Sequence, residues 1–414
     1  LQLEQRGKLQ HMQVVSQPTP SHAVGLAPDQ VQVQVCAVGL NFKDVLNVLM
    51  PDEAAYVGGE VPLPGCDFAG VVTALPEDEA EPSGGLAVGD RVFGMCMQPT
   101  GMLRSHVRLQ AGTLAKMPDS LSFEEAAHMP MVFLTVEYAL KEQAKLQKGE
   151  RVLIHSAAGG VGLAAIQYAQ RVGAEVFATA SLPKHDHLRS LGVEHISTTR
   201  DEEVFVAEMG AMVGERGVDV VLNSLTSGDY VGKTVSMLAK GGRFVEIGKR
   251  NTWSHERMAE ARPDAQYFTH SLNELLPSEP ERLAPMLREL AAHVKAGEAV
   301  PLPSTVFELR GELVTAFRHL QSGKAIGKVV VRVEPAPDGS TVADGHGCVL
   351  VTGGLGGLGL VTAEALGEAG AHSKDRGRCS NTGRCWQWGS GLRDRGQKAV
   401  GTRHTLERGR REQK

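Results

Sequence analysis

The chain has 414 residues, 42% hydrophobic and 22% charged, with a formal net charge of −5. That length buries two or three real cores, and with no apolar run of about 18 residues neither a membrane-spanning helix nor a membrane partner is expected. The six cysteines, Cys36, Cys66, Cys96, Cys348, Cys379 and Cys385, never form a C-x2-C pair, which argues against a disulfide framework or a clustered zinc site and suits a reducing cytoplasm.

The chain starts on Leu1 and its first ten residues lack the layout of a signal peptide, so it reads as an interior cut from a longer protein. Gln30 to Val38 alternates polar and apolar, the period of a half-buried strand, and Gly70 to Val72 and Gly89 to Gly94 continue a turn-punctuated β region. Residues 1–125 are therefore expected to form a small β-rich domain. From Arg151 short apolar strands alternate with helical stretches: 151–155, 175–180, 218–223 and 242–248. This is the pattern of a doubly wound parallel sheet over residues 126–300. A helix is expected near Arg282 to Lys295. Strand-like segments at Pro303 to Leu309 and Lys328 to Val333 suggest a return to the first domain over 301–334. Residues 335–345 read as a linker.

A second glycine-rich start, Gly347 to Gly359, opens a nucleotide-binding pattern over 346–372 that stops after one strand and one helix. Residues 373–414 hold 12 Lys/Arg against 4 Asp/Glu, a surplus of 8 that leaves −13 for the rest. Without apolar periodicity this tail reads as disordered. No base-reading or stacking module accompanies its charge, so a nucleic-acid partner is not expected.

The strand at 151–155, the turn Ser156-Ala157-Ala158-Gly159-Gly160-Val161-Gly162 and a helix from Leu163 have the order needed to seat a pyrophosphate on a helix N-terminus. Glycine spacing alone is weak; the flanking strand, helix and three further strands make it specific. Where an NAD-preferring fold ends its second strand with a carboxylate, this chain has Thr179-Ala180-Ser181 and then Lys184. No acid repels a 2′-phosphate there, and a hydroxyl and an ammonium are available to bind one, so NADPH is the expected cofactor. The competing reading of Lys184 is a solvated lysine at a helix start. Ligands of such sheets lie past the strand ends, which brings in Asn223, Ser224, Gly248 and Lys249. Lys249 is the only cation at a strand end beside the nicotinamide position and could donate a proton or steady an enolate; its competing reading is a solvated loop lysine.

Taken in order, Asn41-Phe-Lys-Asp44, Gly89-Asp-Arg-Val92, Pro130-Met-Val-Phe-Leu-Thr135, Ala157 to Gly162, Val220 to Leu225, Phe244 to Lys249 and Ile326-Gly-Lys328-Val resemble the zinc-free enoyl reductase domains of polyketide and animal-type fatty acid synthases, over about residues 1–333. The resemblance implies an α/β fold: a GroES-like β-rich substrate domain around a Rossmann domain. It implies hydride delivery to C3 of a trans-2-enoyl thioester on an acyl carrier protein, with dehydratase and ketoreductase neighbours. The start at Gly347 looks like that ketoreductase, and a homodimer is compatible with it. It adds Asn41, Thr135 and Lys328 to a cofactor set that otherwise comprises Ala158, Gly159, Gly160, Val161, Gly162, Ser181, Lys184, Asn223, Ser224 and Gly248. The resemblance makes Lys249 the candidate acid, but where it implies an aspartate the segment reads Tyr267-Phe-Thr-His270-Ser271-Leu272. Ser271 or His270 then becomes the candidate partner. No metal is expected, because Gly65-Cys66-Asp67 stands where related zinc enzymes carry Gly-His-Glu, and Cys66 alone cannot make a three-ligand site. The rival readings are a free-standing quinone or enone reductase and a non-catalytic product of a broken synthase gene.

Overall fold

A computed structural model of the chain describes residues 1–16, 25–50, 61–76, 85–96, 99–198, 200–269 and 271–333. The expected linker, the second glycine motif, the basic tail and His270 lie outside the described residues.

A two-stranded ribbon of β1 (Gln2–Leu3) and β2 (Met12–Gln13) opens the chain. β3 (Gln30–Leu40) follows; Val31, Val33 and Val35 are fully buried as the alternation predicts, but Gln32 between them is buried too, at 2% exposure, where its amide donates to Thr73 Oγ1. A short helix α1 (Phe42–Leu49) leads to β4 (Asp67–Ala74), β5 (Arg91–Met95), β6 (His106–Gln110) and β7 (Leu114–Lys116). Helices α2 (Phe123–Ala127) and α3 (Pro130–Val136) then run into a π-helical turn at Glu137–Gln143. α2 is closed by a Ser122/Glu125 capping box, and α3 starts on Pro130, which has no N–H to leave unpaired.

The parallel layer follows as β8 (Arg151–Ile154), α4 (Gly160–Val172), β9 (Glu175–Thr179), α5 (His185–Ser190), β10 (His195–Ser197), α6 (Glu202–Val213), β11 (Val218–Asn223), α7 (Tyr230–Ser236), β12 (Leu238–Glu246), α8 (His255–Ala261) and β13 (Gln266–Phe268). The strand order is β10-β9-β8-β11-β12-β13, all parallel. The order reverses between β9-β8 and β11-β12, which creates the crevice where such sheets bind ligands. The central strands are continuous apolar runs because helices cover both faces. β10 and β13, three residues each, were not anticipated from sequence.

After α9 (Leu272–Ser278) and α10 (Leu283–Lys295), the chain supplies β14 (Ser304–Glu308), α11 (Leu309–Gln321) and β15 (Lys328–Arg332). β15 pairs antiparallel with β3, completing a sheet of order β14-β15-β3-β4-β5-β7 with β6 on β3. The β-rich layer is thus built from both ends of the described chain around the parallel sheet, a GroES-like and Rossmann-type arrangement. One apolar cluster runs through both layers, from Ala37, Phe93 and Met129 to Ile154, Ala178 and Leu222. No helix among the described residues is long and apolar enough to cross a membrane.

Candidate active site

β8 ends at Ile154, and Ser156 takes a φ of 54°, a left-handed conformation uncommon for a residue with a Cβ. Gly159 N donates to Ser156 O and Ala157 N to Thr179 O, both at 2.9 Å, which closes the turn. The helix begins at Gly160 rather than at Leu163 as expected, so Gly160, Val161 and Gly162 form its first turn. Their N–H groups have no carbonyl to meet within the helix and suit a phosphate. A Cβ on Gly160 would lie 2.6 Å from Lys328 Cδ, and one on Gly162 would lie 2.5 Å from Ala157 Cα. Glycine at these two positions therefore lets the helix start pack closely against Lys328 and Ala157, and its first-turn N–H groups fit the pyrophosphate of a nicotinamide dinucleotide.

The returning chain docks on this turn. Gly327 N donates to Ala158 O at 2.9 Å, and Lys328 Nζ donates to Asn41 Oδ1 at 2.6 Å while lying 3.6 Å from Asp67 Oδ2. Asn41 Nδ2 donates to the same Asp67 oxygen at 3.0 Å, and Met131 N donates to its other oxygen at 3.0 Å. Burial pushes the Asp67 carboxyl up to about 6, against the pull of Lys328 and Asn41. Asp44 accepts from Asn41 N at 2.7 Å and Gly65 N at 2.9 Å, and burial raises its carboxyl too. The structure thus brings Lys328 against the glycine turn and links it to Asn41 and to a buried carboxylate, Asp67, that had no assigned role in the sequence reading. Thr135 is half-buried on α3, one turn from Val132, which lies near the Gly160 position.

At the second strand end, Ser181 precedes the short turn Leu182–Lys184. Lys184 is not a freely solvated lysine: its Nζ donates to Gly323 O at 2.8 Å and Ala325 O at 2.6 Å. Burial, then the nearby Arg200, lower its pKa. An ammonium has three donors, so one remains for a ligand, with Arg200 as a second cation that sequence reasoning missed.

Across the crevice, Asn223 ends β11 fully buried, and its Nδ2 donates to Glu246 Oε2 at 2.6 Å. Gly248 N donates to Glu246 Oε1, also at 2.6 Å. Glu246 thereby ties the ends of β11 and β12 together; burial raises its carboxyl to about 7, against those two hydrogen bonds. Ser224 Oγ donates to His155 O at 3.3 Å. Lys249, just past β12, donates to Ser271 Oγ at 2.8 Å and lies 3.9 Å from Glu274 Oε1. Its side chain is 40% exposed, and its pKa is lowered, chiefly by partial burial of the amine, with Glu274 opposing and Lys43 adding to the fall. The arrangement places the glycine turn on one side of the crevice and the Lys249 ammonium on the other, at the strand-end edge of one sheet.

Residues 191–331 match the zinc-binding dehydrogenase family and residues 27–119 the alcohol dehydrogenase GroES-like domain. The chain is 41% identical over 363 residues to the spectinabilin polyketide synthase system protein NorB of Streptomyces orinoci, covering 86% of this chain and 15% of NorB. It spans 15% or less of the first curated relatives it matches, all polyketide synthase proteins. Among solved structures it is similar to the CurK enoyl reductase (39% identity, TM-score 0.72) and to the CurF ER cyclopropanase of the curacin A biosynthetic pathway (38%, 0.73). Each comparison covers 80% of this chain and 98% of the other.

The zinc in the first family's description does not fit these residues. Burial, with Asp67 and Asp44 nearby, holds the Cys66 thiol well above its ordinary pKa, the reverse of what a thiolate ligand needs. Asp67 is already engaged by Lys328 and Asn41. Among the described residues no group of three or more His, Cys, Asp or Glu is arranged to hold a metal ion. With 38% and 39% identity to these two solved structures, each covered over 98% of its length, and with polyketide synthase proteins as its curated relatives, the chain belongs to the enoyl reductase domains of polyketide synthases, in the medium-chain dehydrogenase/reductase superfamily.

Proposed function

We propose that the chain reduces the C2=C3 double bond of a trans-2-enoyl thioester with NADPH, the acyl group being presented by an acyl carrier protein inside a cytoplasmic polyketide synthase. The observation that carries this reading is the Lys249 ammonium at the end of β12, two strands from the glycine turn after β8 and on the same edge of the sheet. Bound NADPH supplies the hydride. The N–H groups of Gly160 to Gly162 would hold its pyrophosphate, Lys328 meets that turn from the β-rich layer with Asn41 behind it, and Lys184 with Ser181 would bind the 2′-phosphate.

Hydride addition at C3 moves the double-bond electrons onto the thioester oxygen. Lys249 Nζ steadies that charge and gives a proton to C2, Ser271 orients the amine, and water restores the proton. Dehydratase and ketoreductase neighbours would make and precede this substrate. NADPH oxidation with crotonyl thioester, run beside a small quinone, tests the reading. The expected result is turnover of the thioester with NADPH in preference to NADH; equal or faster reduction of the quinone favours a free-standing quinone reductase, and no NADPH binding favours a non-catalytic fragment.

A further inference from the structure

We propose that Glu274 is a positioning residue for this reaction: its carboxylate, fixed at the start of α9, holds the Lys249 ammonium in place and in its charged form. The inference rests on the role of Lys249 proposed above.

Ser271 is the N-cap of α9 and Glu274 its third helical residue, in the reciprocal pattern of a capping box. Ser271 N donates to Glu274 Oε2 at 2.9 Å, so one carboxylate oxygen is anchored to backbone. The other, Oε1, faces Lys249 Nζ at 3.9 Å, while the Ser271 hydroxyl accepts from that same Nζ at 2.8 Å. The two halves of one helix cap thus converge on one ammonium. An exposed ion pair is ordinarily weak because two long side chains must be ordered to make it. Here the cap has already ordered the glutamate, so only the lysine is left to place.

Charge explains why a carboxylate matters at this spot. Lys249 faces Lys43 from α1, Glu246 from β12 and Glu274 from α9. Burial and Lys43 disfavour the ammonium. Glu246 is engaged by Asn223 and Gly248 N, and of these two carboxylates Glu274 is the one that places an oxygen, Oε1, 3.9 Å from the Lys249 ammonium. A proton donor must be charged before it can give its proton, and Glu274 opposes the groups that would discharge it early.

The test is Glu274→Gln. Glutamine serves at this position of a capping box as glutamate does, so the helix start is kept while the charge is removed, and an unchanged melting temperature checks this. Single-turnover NADPH oxidation with crotonyl thioester is followed against pH in the unmutated protein, in E274Q, in Lys249→Ala and in the double variant. Removing a negative charge beside an ammonium lowers its pKa. The alkaline limb of E274Q is therefore expected to move down by about 0.2 to 0.7 pH units, the range of partly exposed pairs. The neutral-pH rate is expected to fall by about 1.5-fold to 5-fold, the range of a partly exposed pair, with NADPH affinity unchanged and no further effect of E274Q in the K249A background. A slow K249A enzyme combined with an unmoved limb in E274Q overturns the inference alone. An unmutated rate in K249A overturns the role of Lys249 and the inference together.

Discussion

The Lys328 ammonium lies 3.6 Å from the Asp67 carboxylate, and both side chains are almost completely buried, at 4% and 0% exposure. Removing one member of such a pair strands the other charge in the protein interior. Lys328→Ala is expected to cost about 3–5 kcal/mol of stability, and adding Asp67→Asn to recover part of that loss. Urea denaturation of the two variants checks this; equal losses in the single and double variants would show that Lys328 stabilises only through the packing of its stem.

Glu246 makes stability depend on pH. Its carboxyl is raised from 4.5 to about 7 in the folded protein, so between those values the folded state holds a proton that the unfolded state has released. The contribution is present in full below pH 4.5 and is lost as pH rises through about 7. The span corresponds to a swing on the order of 3 kcal/mol. Glu246→Gln is expected to flatten this part of a denaturation-against-pH curve, since the amide does not titrate. The same slope in the variant would assign it to another group.

The two tight glycines should fail differently. Alanine at Gly160 meets the flexible stem of Lys328, and alanine at Gly162 meets the Ala157 backbone. Gly160→Ala is expected to weaken NADPH binding with the smaller loss of stability, because the Lys328 stem can shift by a fraction of an ångström while its ammonium keeps Asn41 and Asp67. Gly162→Ala is expected to lose about 1–3 kcal/mol of stability, as overpacking against backbone does. Cofactor titration and thermal melting of both variants separate the effects; the reverse order would mean that Lys328 is held more rigidly than the turn.

Cofactor choice tests Lys184. Two of its three donors already go to Gly323 O and Ala325 O, so its gain from a 2′-phosphate sits near the low end for a charge-assisted contact, about 1.5 kcal/mol or tenfold in affinity. Lys184→Ala is expected to weaken NADPH by that factor and to leave NADH unchanged. Loss of both cofactors equally would mark Lys184 as a strut between the parallel sheet and the returning chain.

Much of this fold was legible because the sequence repeats its instructions locally. The alternation from Gln30 to Val38 defined β3, and the apolar runs at 151–155 and 218–223 defined β8 and β11. β10 and β13 escaped because three-residue edge strands carry too little periodicity to read. In the site, the glycine turn was visible in order and spacing, whereas Ser271 as a partner for Lys249 came from the family resemblance, with His270 as its alternative, and the structure puts the Ser271 hydroxyl 2.8 Å from the Lys249 amine. Asp67 and Glu246 were not, although both stood inside motifs that were read. Their importance comes from partners brought by folding, Lys328 and Asn223, and burial turns an ordinary acid into one that fixes its neighbours. Lys184 was given a ligand or water as partner; its actual partners are carbonyls 139 and 141 residues away.

The most direct measurement follows the two hydrogens into the product. The enzyme is given crotonyl thioester and NADPH deuterated at the transferred position of the nicotinamide, in ordinary water, and the butyryl product is read by NMR. The account expects one deuterium at C3 and a solvent-derived hydrogen at C2, with Lys249→Ala lowering the rate by about 100-fold to 1000-fold, or nearer tenfold if water shares the proton transfer. Deuterium at C2, no deuterium in the product, or a Lys249→Ala enzyme as fast as the unmutated one would contradict it.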